Sequence, residues 1–240
     1  MLELQTFGTV GLRSREGDQS EAQIVQPKRL ALLAYLALAP RRRCRRRDAI
    51  VTLFWPELDQ EHARGALSQA LRYLRRTLGE GAIVTQGEEE VGLDRGLVGC
   101  DALTFAERCE AGQLEAAMVI YQGRFLEGLF VTDAGPEYEQ WVMEEQARFN
   151  LLATMALGTL AERAEGLGDL AAAVGWARRA AVIVPGDEVI TARLIRLLDQ
   201  SGDRAGALRE YERLRQRLWE EFQVAPSHET QALIARILER

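Results

Sequence analysis

Two stretches in the second half of the chain, GDLAAAVGWARRAAVIVP from Gly168 and GDRAGALREYERLRQRLW from Gly202, are copies of one pattern set 34 residues apart. That period is the length of a tetratricopeptide helix pair, and such a pair cannot bury its apolar faces alone, so it must stack on its neighbours. Ala173, Ala180 and Pro185 in the first copy, with Ala161 ahead of it, fall where small side chains let helices approach closely and where a proline ends one. A looser third copy, GQLEAAMVIY from Gly112, places Ala117 and Tyr121 in step with Ala207 and Tyr211. Residues 101–240 are therefore expected to form an all-α, tetratricopeptide-like repeat domain. Its aromatic residues Phe125, Phe130, Tyr138 and Trp141 are expected to pack in a core or between domains, where large rings contribute most.

The first half has a different character. The chain of 240 residues carries a net charge of -6, yet residues 28–79 hold 12 basic and 4 acidic side chains, a local net of +8, whereas residues 101–240 are net -8. Positive charge concentrated in some fifty residues is where a polyanion would bind. With 47% hydrophobic and 28% charged residues the chain has the composition of a folded protein long enough for two domains. The longest apolar run, Leu30 to Ala39, is too short to span a bilayer and lies away from the N-terminus, so no membrane segment is expected and the protein is expected in the cytoplasm. Cys44, Cys100 and Cys109 are scattered without a CxxC pair, and His62 and His228 are the only histidines. No metal site and no cofactor are expected, and the thiols are read as reduced and structural.

Local patterns in residues 2–94 switch period in an informative order. LELQTF, TVGLRSR and AQIVQ, broken by the polar turn EGDQS, suggest a small antiparallel sheet over residues 2–25. Pro27 suits a first helical position, and KRLALLAYLALAP reads as a buried helix stopped by Pro40. Asp48 is placed to cap a short second helix closed by Pro56, and Asp59 to cap a third that Gly79 ends. AIVTQ, a turn at GEE, and EVGLD then form a hairpin over residues 82–94.

In the third helix Ala63, Leu67, Ala70, Leu71, Leu74 and Leu78 recur at three- and four-residue steps and form a core-facing stripe. Arg64, Ser68, Arg72 and then Arg75 or Arg76 recur at the same steps, turned around the axis to face outward. Arginine in that position can meet phosphates or fork onto guanine O6 and N7, and Ser68 and Gln69 are short enough to sit against base edges. A buried helix, a short helix, a tight turn, a longer basic helix and a hairpin are, in that order, the parts of a winged helix-turn-helix. The expected fold class is mainly α with a small β component: residues 1–96 a winged helix-turn-helix of α+β type, residues 101–240 the helical repeats.

On these residues, with PKRLALLAYLAL, LFWPELD and ARGALSQALRYLRRTLG quoted as they stand, the first half resembles the winged-helix DNA-binding domain of response-regulator effectors of the OmpR type. The chain as a whole resembles the antibiotic-regulatory-protein (SARP-like) regulators, in which a bacterial transcriptional activator domain follows directly. GRFLEGLF and PEYEQWVMEEQARF look like the entry segment and long first helix of that domain. The sequence departs from the pattern twice. RRRCRRR at 41–47 stands where a capping Ser or Thr is usual, and the wing tip, GEEE, is acidic. The arginine run reads either as a phosphate track, with Arg46 and Arg47 nearest the second helix, or as a solvated turn. Cys44 reads as a small core residue. Three carboxylates beside phosphates would repel, so the wing is not expected to enter a minor groove.

The resemblance implies transcription activation, with double-stranded promoter DNA bound at direct repeats by the first domain. The second domain would mediate self-association, as a homodimer or a tandem assembly on DNA, or contact RNA polymerase. No receiver domain is expected ahead of the first strand. The DNA-binding set expected from the residues is Arg64, Ser68, Gln69, Arg72, Arg75, Arg76, Arg46 and Arg47. GxxxxGK[ST], GxSxG and HExxH are absent, as is a plausible Cys/His pair, so no catalytic residues are expected. The competing reading is a protein-protein adaptor that uses the repeats for binding and the winged helix as scaffold.

Overall fold

A computed structural model describes residues 2–14, 26–39 and 44–239. The polar turn EGDQS, nearly all of the expected strand AQIVQ, Pro40 and Arg41, Arg42 and Arg43 lie outside the described residues. The element order is β1 (Leu2–Gln5), β2 (Gly11–Ser14), α1 (Pro27–Ala37), β3 (Arg45–Arg46), α2 (Arg47–Phe54), α3 (Gln60–Leu78), β4 (Ile83–Gln86), β5 (Glu90–Leu93) and β6 (Val98–Cys100). These are followed by α4 (Asp101–Glu110), α5 (Leu114–Ile120), α6 (Pro136–Gly166), α7 (Leu170–Ile183), α8 (Glu188–Gln200), α9 (Arg204–Phe222) and α10 (His228–Leu238). The fold is mainly α with a small β component.

The described chain divides into two compact units, residues 1–149 and 150–240, and the division falls within α6. That is not where sequence composition changes, between Gly96 and Asp101. The reason lies at the end of β1. β1 pairs antiparallel with β2, as the alternation suggests, and parallel with β6, from Leu2 opposite Val98 to Leu4 opposite Cys100. Asp101 begins α4 directly after β6, and its buried carboxylate accepts hydrogen bonds from the Thr6 amide (2.8 and 2.9 Å), the Phe7 amide (3.1 Å) and the Ala102 amide (2.7 Å), and from the Thr6 hydroxyl. Burial pushes the Asp101 carboxyl above its ordinary range, and these donors pull it back toward ionisation. The Thr6 carbonyl accepts from the Leu126 amide at 2.8 Å, so both faces of this peptide are held by residues beyond 100.

Side chains follow the backbone. Phe7 packs edge-on against Phe105 and Phe149, with centroids 5.4 and 5.3 Å apart, and tilts over Tyr121 at 4.9 Å. Phe125 meets Phe149 and Trp141, Trp141 meets Tyr35 of α1, and Tyr138 meets Phe54 of α2. Burial raises the Tyr138 phenol to about 12. Phe125, Tyr138 and Trp141 thus serve packing as expected, but Phe130 does not: it is 83% exposed, on a stretch outside any helix or strand.

Helices α1, α2 and α3 form as the local signals indicate, with one correction. Pro27 opens α1, and the Asp59 carboxylate caps α3 by accepting from the His62 amide at 3.0 Å. Gly79, at φ 96°, ends it. Asp48 does not cap α2. It lies inside the first turn, where its charge complements the helix dipole and its carboxylate faces Arg64. The far end of α1 is held instead by Arg95, which donates from Nη2 to the carbonyls of Ala37 (3.1 Å) and Ala39. The wing, β4 and β5, extends into a three-stranded sheet through β3, with Arg45 opposite Val91 and Arg46 opposite Glu90. Cys44 packs on this sheet but is only partly buried, so it is not the core residue expected: a Cβ built on Gly92 would stand 2.9 Å from its Sγ and 3.3 Å from Val84 Cγ2.

The second unit is built from the repeats. The Gly168 amide donates to the Glu165 carbonyl (3.0 Å) and the Asp169 amide to Ala164 (2.9 Å). Thirty-four residues on, Gly202 donates to Asp199 (3.0 Å) and Asp203 to Leu198 (2.9 Å). Both glycines have φ near 80°, the left-handed turn of a Schellman ending, and both following aspartates cap the next helix, through the Ala172 and Gly206 amides. The Gly–Asp pair is therefore one helix stop and one helix start. The looser copy, which lies in the first unit, keeps the stop, with Gly112 donating to Cys109 and Gln113 to Arg108, but Gln113 makes no side-chain cap. Ala117, Ala173 and Ala207, the fifth residue after each glycine, are all fully buried. Within residues 150–240 the core gathers Ala161, Ala173, Ala177, Leu194, Leu198, Ala207 and Ile234 from α6 to α10.

Two substitutions test this account. Asp101→Asn replaces an acceptor-only group with one that opposes an amide donor, and is expected to lower the unfolding free energy by about 1–3 kcal/mol, read as a reduced urea midpoint at unchanged slope. An unshifted midpoint would contradict the role given to the carboxylate. Gly92→Ala is expected to lower the thermal midpoint through the clash with Cys44, at a cost of about 1–3 kcal/mol, and Cys44→Ala in the same chain should recover most of it. Strictly additive losses in the double variant would show that the two positions do not touch.

Candidate nucleic-acid interface

The Asp59 cap sets where α3 begins, and with it the phase of the helix. Ala63, Leu67, Ala70, Leu71, Leu74 and Leu78 are buried, the same six that the spacing selects. Around the axis from them Ser68, Gln69, Arg72 and Arg76 are exposed, and Arg64 and Arg75 are intermediate. An eight-residue step advances about 12 Å along a helix, so Arg64 and Arg72 lie two turns apart on one face.

The arginines of this stripe differ in what holds them. No described residue makes an ion pair or hydrogen bond with the side chain of Arg72 or Arg75. Arg76 lies over the Tyr73 ring with 5.6 Å from guanidinium carbon to centroid, and Arg29 of α1 covers the same ring at 3.8 Å. That stack braces α3 against α1 and was invisible in the sequence, since Arg29 and Tyr73 are far apart along the chain. Ser68 donates its hydroxyl to the Arg64 carbonyl at 2.8 Å, which leaves its lone pairs as acceptors on the outer face. Arg64 is committed inside the domain: Nη2 is 2.8 Å from Asp48 Oδ1 and 3.5 Å from Glu89 Oε2. The hydrogen bond from Arg64 holds the Asp48 carboxyl below its ordinary range, helped by the charges of Arg64 and Arg46.

The described part of the arginine run is divided in the same way. Arg46 is exposed on β3. Arg47, intermediate at the start of α2, donates its amide to the Glu89 carbonyl at 2.8 Å, and its Nε is buried without a partner. Arg45 turns inward, with its guanidinium carbon 4.3 Å from the Tyr35 ring centroid and Nη2 3.5 Å from the Leu38 carbonyl. Arg46, Arg72 and Arg76 are thus the outermost cations of the expected set, with Gln69 and Ser68 beside them on α3. The wing tip adds Glu88 and Glu89, both exposed. Among the described residues no group of three or more His, Cys, Asp or Glu is placed to hold a metal ion, and no helix is long and apolar enough to cross a membrane.

A likeness in fold links the chain to Mycobacterium tuberculosis EmbR, whose structure was solved in complex with a low-affinity phosphopeptide: TM-score 0.67 at 21% identity, over 99% of this chain. The chain spans 65% of the length of that EmbR chain. No curated protein matches the sequence. Residues 101–238, more than half of the chain, match the family described as bacterial transcriptional activator domain. Those residues include the helix pairs that the glycine-aspartate repeats delimit, and the chain belongs to the bacterial transcriptional activator domain family, a family of transcription regulators.

Proposed function

We propose that this regulator binds double-stranded promoter DNA in a sequence-specific manner, laying α3 in the major groove, and that it acts as an activator in the cytoplasm. The observation that carries the proposal is the outward stripe of α3: Arg72 is exposed and unengaged among the described residues, with Ser68 and Gln69 beside it, on the later helix of a helix-turn-helix flanked by a hairpin. A guanidinium so placed can fork onto guanine, and Gln69 can pair with adenine in the same way. Arg46 and Arg76 would meet phosphates on either side, and Arg47 and Arg75 would reinforce them. The helical repeats, which supply the second unit, would contact a second copy on tandem sites or RNA polymerase. No catalytic role is assigned to any residue.

A second reading, a protein-protein adaptor in which the winged helix is scaffold, is favoured by one observation: Arg64, on the helix face that would meet DNA, is paired with two carboxylates. The two readings separate in a binding experiment. Arg72→Ala should weaken binding to a selected duplex by about 1–3 kcal/mol, without moving the thermal midpoint, because the side chain is exposed. Equal affinity of variant and parent would remove Arg72 from the interface. A folded parent that binds no duplex even at low salt would favour the adaptor.

A further inference from the structure

The wing tip does not point its charge away from the helix beside it. β5 pairs with β3, and the Arg47 amide donates to the Glu89 carbonyl, so the backbone of Glu89 is fastened to the residue before Asp48. Both carboxylates then converge on Arg64 Nη2, at 2.8 and 3.5 Å. One guanidinium between two carboxylates is a group of net charge -1, at a place where a count of residues along α3 registers a cation. A phosphate approaching that end of the helix meets repulsion until one carboxylate yields.

Asp48 and Glu89 are not equivalent. Asp48 makes the short hydrogen bond and sits in the first turn of α2, where the helix dipole favours its charge. Glu89 is the more distant partner, on a turn, and its side chain is 53% exposed. Exposed ion pairs are weak and screened by salt, so this contact can exchange for another oxyanion. The Arg64 Nε is buried without a partner, which leaves the terminal nitrogens as the part of the side chain that can exchange. Glu88, next along the wing, is exposed and makes no ion pair among the described residues.

We infer that Glu89 is an intramolecular stand-in for a DNA phosphate: it occupies Arg64 in the free protein, and DNA must displace it before Arg64 joins the interface. Asp48 keeps the guanidinium in position throughout. The wing of this chain therefore acts as a competitor for the helix face rather than as an arm into the minor groove. This inference rests on the DNA-binding reading of α3.

The test is fluorescence anisotropy of the full chain with a generic labelled duplex across a salt series, using the parent, Glu89→Gln, Glu88→Gln and the double variant Arg64→Gln with Glu89→Gln. Glu89→Gln is expected to tighten binding, by up to about fivefold at low salt, which is the reach of one exposed ion pair. It should also steepen the log-log salt dependence, by up to about 0.9, because parent complexes in which Glu89 still holds Arg64 lack that phosphate contact. Glu88→Gln removes the same charge without freeing Arg64 and should leave the slope at the parent value. The double variant should lose the gain. If the parent binds and Glu89→Gln binds no better, or gains as much as Glu88→Gln does, the inference falls and the DNA-binding reading stands. If the parent is silent and Glu89→Gln binds, both are supported. If no variant binds at low salt, the DNA-binding reading fails and takes the inference with it.

Discussion

The carboxylate of Asp101 closes the first unit. β1 is only four residues long, and a strand that short needs more than its ladder to stay in register. Asp101 holds the two amides that follow it, Leu126 donates to the carbonyl between them, and Phe7 is thereby fixed among Phe105, Tyr121 and Phe149. Trp141 and Tyr138 continue the same aromatic layer to Tyr35 and Phe54, under α1 and α2. The helix-turn-helix is thus built on residues that the family match assigns to the activator domain. A fragment cut at Gly96 would strand the Thr6 and Phe7 amides and remove five of the eight rings of that layer, and the two compact units part within α6 rather than where the sequence composition changes.

The electrostatics of α3 follow from position more than from number. Four arginines lie on it, but Arg64 is balanced twice over, Arg76 is drawn toward Tyr73, and Arg72 and Arg75 remain without an ion pair among the described residues. Net charge by segment would place the strongest attraction anywhere in residues 28–79. Among the described residues of α3 and β3, the exposed arginines without a carboxylate partner are Arg72 and Arg76, in the later turns of α3, and Arg46 on β3. An acidic wing and a basic helix face are consistent within one interface if the wing regulates the helix and does not itself bind.

Much of this was legible in the sequence because periodicity encodes the phase of an element. The six buried residues of α3, the Asp59 start and the Gly79 stop are local signals, and the Gly–Asp pairs at 168 and 202 state a helix end and a helix beginning in two letters. What periodicity leaves out is pairing at a distance. Nothing local joins Thr6 to Asp101, β1 to β6, or Arg64 to Asp48 and Glu89, and a side chain with a polar partner far along the chain looks like any solvated one. Asp48 illustrates the loss: an aspartate at a helix start reads as a cap, and its use as the partner of Arg64 depends on where α3 crosses α2. Phe130 shows the converse, since a large ring in an apolar stretch reads as core, and here it stands in solvent.

The central claim, that the outward face of α3 reads sequence, is tested most directly by selecting bound duplexes from a random pool with the full chain over several rounds. A single short motif should emerge, with guanine at the position served by Arg72, and recovered duplexes should carry it as tandem copies if the repeats associate on DNA. Recovery of unrelated sequences after the same number of rounds, from a protein that binds the pool, would mean that α3 grips phosphate without reading bases, and would contradict the account.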